Sequence, residues 1–185
     1  MIMTVTVYGD PLLRKVSQPI DKNYPNLKEL IDDMYETMYH AEGVGLAAPQ
    51  VGLSIRLFVV DATMAASDEE PELKDFKKVF INPEVLSVSG EPWSFEEGCL
   101  SLPTIHENVY REEEVVIRYH DENWNERTET YNGYAARVIL HEYDHLQGKL
   151  FIDRISPLRK RLLKSKLTAI TKGNVKINYK IKIPK

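Results

Sequence analysis

The chain has a single cysteine, Cys99, so no intramolecular disulfide can form, and a reducing cytoplasmic compartment is the default expectation. Its apolar runs last only a few residues, far short of the roughly 20 that a bilayer-crossing helix requires. The opening Met1-Ile2-Met3-Thr4-Val5-Thr6-Val7 lacks a basic stretch and an apolar core, so no secretory signal is expected. No internal repeat or low-complexity segment is evident. Acidic residues also run out: Asp153 is the last, and residues 156–185 hold ten basic side chains, leaving 14 basic against 28 acidic residues in the remainder. An acidic body with a basic tail is the first feature that needs a reason. With 185 residues, 43% of them hydrophobic and 28% charged, the composition is that of a globular chain able to bury its own core. The expected organisation is one domain over 1–155, with 156–185 as its basic helix-and-strand extension.

Periodicity supplies the elements. Leu27, Leu30, Ile31, Met34 and Met38 recur at helical spacing and predict an amphipathic helix over 26–41, stopped by Gly43 and Gly45. Residues 55–61 are β-branched and read as a buried strand, followed by a solvated loop over 62–78. Further strands are expected over 79–81, 84–89, 114–120 and 127–131, several of them antiparallel. A central helix is expected over 134–147, ended by Gly148, then a basic helix over 157–170. Val175, Ile177, Tyr179, Ile181 and Ile183 alternate with polar residues, which predicts a half-exposed terminal strand. Strands in clusters followed by helices indicate an α+β fold: mainly antiparallel strands packed around a central helix.

His141-Glu142-Tyr143-Asp144-His145 is the stretch that carries chemistry. Residues four apart share one helical face, so two imidazoles there can reach one metal ion, with Glu142 beside the first as a proton acceptor. The pattern alone is also compatible with plain surface histidines. A third ligand decides between classes. Zinc endopeptidases with this helix, the competing enzyme reading, take it downstream, yet the position three past Gly148 is Phe151, and after Asp153 no acidic residue, His or Cys remains. The search therefore turns upstream, where Cys99 in Glu96-Glu97-Gly98-Cys99-Leu100-Ser101 is a plausible thiolate ligand or a small buried hydrophobe.

Three segments together, Gly43-Val44-Gly45-Leu46-Ala47-Ala48-Pro49-Gln50, Glu97-Gly98-Cys99-Leu100-Ser101 and His141-Glu142-Tyr143-Asp144-His145, resemble the signature motifs of the peptide deformylases. They stand in the family's order, and the likeness runs from about Tyr8 to Pro157. The resemblance implies that Cys99, His141 and His145 hold one divalent metal, iron in cells, with zinc, nickel or cobalt able to substitute. It implies that the substrate is the N-formyl group on the initiator methionine of a nascent peptide, released as formate. Glu142 would carry the proton, while the Gln50 side-chain amide and the Leu100 N–H would donate to the carbonyl oxygen as negative charge grows. Val44, Gly45 and Glu97 correspond to positions along which the peptide lies. Tyr134 and Val138, on the face of His141, either wall the methionine pocket or serve as ordinary core residues.

Two positions depart from the family pattern. Leu140 stands where Gln is common, which predicts a packing change rather than lost chemistry. His106 stands where several relatives have Arg, and is either a weaker, pH-dependent substrate contact or a solvated loop residue. Arg111 is expected to pair with Asp144 and so orient the metal helix. The basic tail is either a solvated face or a contact with ribosomal RNA. No membrane or DNA partner is expected.

Overall fold

The computed structural model describes residues 1–185. Strand β3 (Leu57–Asp61) explains the architecture, because Leu57, Phe58, Val59 and Val60 are all completely buried. Side chains alternate across a strand, so β3 must be covered on both faces. Leu57 and Val59 join the cluster built on Leu30, Ile31, Met34 and Met38 of helix α1 (Leu27–His40). Phe58 and Val60 join the cluster built on Ala135, Ala136 and Ile139 of helix α2 (Gly133–Leu146). The sheet between the two helices is antiparallel, in the order β2 (Gly45–Ala47), β3, β4 (Lys77–Ser89), β7 (Glu114–His120), β8 (Glu126–Asn132). The α+β reading holds, with α2 as the central helix.

Four expectations are corrected. Strand β4 is continuous where two strands were expected; it absorbs Asn82, whose φ is 50°, and Pro83 through register shifts between Ile81 and Glu84 and between Val85 and Ser87. The segment 62–78 is anchored: Leu73 and Phe76 are buried in the α2 cluster, and Glu70 Oε1 accepts from the Tyr134 N–H at 3.2 Å, satisfying a free donor at the start of α2. The basic helix is two helices, α3 (Pro157–Leu162) and α4 (Lys164–Thr171), meeting at Leu163. Of the expected terminal strand only β9 (Ile181–Lys182) pairs, in parallel with β1 (Val5–Thr6).

A separate hairpin of β5 (Trp93–Cys99) and β6 (Leu102–Arg111) stands beside α2. It packs on Val7, Leu150, Phe151 and Ile152 and on Leu163, Leu167 and Ile170 from the C-terminal helices. Gly148, with φ 72°, ends α2 in the left-handed conformation, and a Cβ there would sit 2.5 Å from the Arg14 carbonyl oxygen. No helix is long and apolar enough to cross a membrane.

Candidate metal centre

Helix α2 brings His141 and His145 onto one face by spacing alone, with ring centroids 5.3 Å apart. The third group comes from the end of β5. The hairpin register slips between Gly98 and Cys99, which frees Cys99 from the regular ladder and leaves its Sγ 3.3 Å from His145 Nε2. Ligand atoms of Cys99, His141 and His145 all lie within 4.8 Å of one another.

Buried charges fix this arrangement from behind. Glu97 Oε1 lies 2.9 Å from His141 Nδ1, which leaves Nε2 for a ligand. The same carboxylate accepts from Arg111 at 2.7 and 3.0 Å and from Arg137 at 2.7 Å. Arg111 reaches on to Asp144 at 2.9 Å, and Arg154 closes the other side of Asp144 at 2.6 and 2.7 Å. Burial alone would raise the Glu97 pKa, but hydrogen bonds from His141 and Arg111 outweigh it and hold the carboxyl far below its usual range. The expected Arg111–Asp144 pair is thus present, within a larger network whose other members, Arg137 and Arg154, the sequence reading missed. Arg137 stands four residues before His141 on the same face, but its partners, Glu97, Val109 and Trp93, all lie on the hairpin.

The charge pattern suits a cation. Burial disfavours a protonated His141, yet the Cys99 and Glu97 hydrogen bonds more than offset it and raise its pKa well above the ordinary value. Burial and the neighbouring His141 push His145 down to about 3, so that ring is neutral and free to ligate. One thiol and two imidazoles from buried elements form a three-donor set with room for a further ligand. The residues fit a divalent metal, whose identity the donor set leaves open.

Glu142 completes the chemistry. Its side chain is buried, Oε2 has no hydrogen-bond partner, and burial pushes its pKa up to about 7. The other oxygen lies against β2: a Cβ on Gly45 would come within 2.6 Å of Glu142 Oε1, so only glycine admits this approach. Gln50 is 1% exposed; its Oε1 accepts from the Ala47 N–H at 2.9 Å, while Nε2 lies 3.2 Å from Ser101 Oγ and 3.5 Å from Cys99 Sγ. The Leu100 N–H donates to no other group of the chain. A cleft of about 920 Å³ runs over these groups and is lined by Val44, Gly45, Gln50, Glu97, Leu100, Tyr134, Val138 and Glu142 as well as Cys99 and His141.

Several side chains carry a second commitment. Glu97 spends its side chain on the arginines and His141, so its side-chain contribution is to orient a ligand. Val138 is 5% exposed and belongs to the main core as well as the cleft wall, whereas Tyr134 is half-buried and its ring meets that of Phe95 at a tilt of 59°, centroids 5.6 Å apart. Leu140 packs into that same core. His106 lies on strand β6 rather than a loop, exposed, opposite Gly98 and on the cleft rim.

Residues 2–161 match the family model described as polypeptide deformylase. A peptide deformylase of Christiangramia forsetii is 54% identical over 190 residues, covering 100% of this chain and 97% of that protein. Among solved structures, a peptide deformylase from Legionella pneumophila superposes with a TM-score of 0.80 at 37% identity, covering 94% of this chain and 98% of that one. The peptide deformylase from Thermotoga maritima gives 0.75 at 44% identity, covering 85% and 99%.

Proposed function

Since the chain belongs to the polypeptide deformylase family and is a hydrolase that removes the N-formyl group from nascent peptides, we propose a division of that work among its residues. Cys99, His141 and His145 would hold the metal; when bound, it supplies Lewis-acid polarisation of the formyl carbonyl and acidifies water. Glu142 takes the proton of the attacking water at Oε2 and later delivers it to the departing nitrogen. A carboxyl pushed towards neutral pH by burial is matched to both halves of that task. The Gln50 side-chain amide and the free Leu100 N–H donate to the carbonyl oxygen as charge develops on it.

The peptide lies along Val44, Gly45 and the Glu97 strand, and its methionine side chain enters between Tyr134 and Val138. Iron(II) is the metal we assign in cells, with zinc, nickel or cobalt as substitutes, because one soft thiolate with two imidazoles suits them all. The observation that carries this reading is the buried, unpartnered Glu142 Oε2 beside three converging ligand atoms. The test is formate release from a formyl-methionyl peptide, with metal content measured in parallel. Glu142→Gln should keep the metal and lose activity by about 10²–10⁴-fold; an active variant would refute the assignment.

Residues 1–155 act as the catalytic domain and 156–185 as its extension, a reading supported by the packing of Leu163, Leu167 and Ile170 into the hairpin's core. The exposed Arg161, Lys164 and Lys166, with Leu158 at 63% and Leu162 at 60% exposure, suit contact with ribosomal RNA in the cytoplasm, where nascent chains emerge. Cosedimentation with ribosomes should weaken with salt and vanish on truncation after Asp153; persistence in the truncated chain would contradict this.

A further inference from the structure

One wall of the cleft comes from the C-terminal tail, far in sequence from the segments that carry the metal site. Val175, Lys176, Ile177, Asn178 and Tyr179 all line it. This strap is held at both ends. Tyr179 Oη donates to the Leu100 carbonyl at 2.8 Å, and the Lys180 carbonyl accepts from the Val5 N–H at 2.9 Å. Val175 and Ile181 pack against the cluster that includes Leu102 and Ile105 of β6.

Between these anchors the chain alternates like a strand, with Val175, Ile177 and Tyr179 half-buried and Lys176 and Asn178 exposed, yet no ladder satisfies it. The backbone N–H groups of Lys176, Ile177 and Asn178 donate to no group of the chain. Successive N–H groups of a strand-like chain face opposite edges, so either Lys176 with Asn178, or Ile177, is available to one extended chain added to this tethered segment beside the cleft. A nascent peptide entering the cleft is such a chain, and its own backbone groups need partners once water is displaced.

We propose that residues 175–179 form a binding subsite for the substrate backbone beyond the formyl-methionine, with Tyr179 as the positioning residue that hooks this subsite to the Leu100 turn. The inference rests on the reading of the cleft as the deformylation site. It adds a recognition element for the second to fourth residues of the peptide that acts through main-chain hydrogen bonds. It therefore selects for peptide length rather than for particular side chains.

The experiment compares kcat/KM for formyl-Met-Ala and for a formyl-methionyl tetrapeptide, using the metal-loaded full chain, a chain truncated after Gly173, Tyr179→Phe and Ile177→Pro. Truncation should lower the tetrapeptide-to-dipeptide ratio about tenfold, the scale of one or two net hydrogen bonds, and should do so through KM. Ile177→Pro removes one donor, and Tyr179→Phe releases the hook; each should lower the ratio by a smaller factor. These two keep the test open if the truncated chain fails to fold. An unchanged ratio in every folded variant overturns the proposal, and a raised ratio overturns it by making the strap an obstruction. Failure of the unmodified chain to release formate from either peptide would instead sink the reading of the whole cleft.

Discussion

Arg111→Ala removes the centre of the charge network behind the metal ligands. Arg111 is 3% exposed and makes two hydrogen bonds to Glu97 and one to Asp144. Breaking a buried pair by deleting one partner costs about 3–5 kcal/mol, because the surviving charge stays buried. Here both survivors keep other partners: Glu97 retains Arg137 and His141, and Asp144 retains Arg154. The lower end of that range, about 3 kcal/mol, is therefore expected. For a chain of this length 1 kcal/mol moves Tm by roughly 2–4 °C, so Tm should fall by about 6–12 °C. The loosened Glu97 also orients His141 less firmly, which should weaken metal retention by about 10–100-fold. Thermal melting and metal content after dialysis against a chelator read the two effects separately. Wild-type values for both would refute the role given to this network.

Other substitutions probe separate parts of the account. Gly45→Ala should displace Glu142, whose Oε1 a new Cβ would meet at 2.6 Å, and lower kcat by roughly 100-fold with metal content preserved; an unaltered kcat would show that the carboxylate position is not critical. Gln50→Ala should cost about 10²–10³ in kcat if its amide donates to the developing oxyanion, whereas a change confined to KM would assign it to binding alone. Arg14→Met tests a more exposed pair. Burial would raise the Asp153 pKa, but the Arg14 hydrogen bond at 2.6 Å, the Leu150 N–H and the charges of Arg14 and Lys160 together outweigh it and hold the carboxyl below its ordinary value. A depressed carboxyl stabilises the fold above its unfolded pKa and stops doing so as pH falls through the folded value. The urea midpoint of Arg14→Met should therefore lie slightly below wild type at pH 7, and the gap should narrow as pH falls through the lowered Asp153 pKa; a gap independent of pH would contradict the linkage.

The parts of this fold legible in the sequence are those where one face of an element is uniformly apolar. Helix α1 and strand β7 follow their periodicity, and α2 was visible both as a period and as a motif. Strand β6 was hidden because two of its inward positions are Glu107 and Arg111, charged residues that pair with Arg159 and with Glu97 and Asp144; polarity masked an alternation that burial displays from Ile105 onward. The segment 62–78 looked solvated because its acidic run dominates the composition, although Leu73 and Phe76 anchor it. The two imidazoles were legible from helical spacing, but Cys99 was only a plausible third ligand by its chemistry, and the full set of three rested on the resemblance to the deformylases. Their supports were not legible, because Arg137 and Arg154 gain meaning only when the hairpin folds against α2. The tail's alternation was visible, but its position over the cleft depends on Tyr179 meeting a carbonyl far away in sequence.

X-ray absorption at the metal edge of the zinc-loaded protein measures the central claim directly. The account predicts one sulfur scatterer at about 2.3 Å and two imidazole nitrogens at about 2.0–2.1 Å, with the sulfur lost in Cys99→Ser. A shell of nitrogen and oxygen alone in the unmodified protein would contradict it.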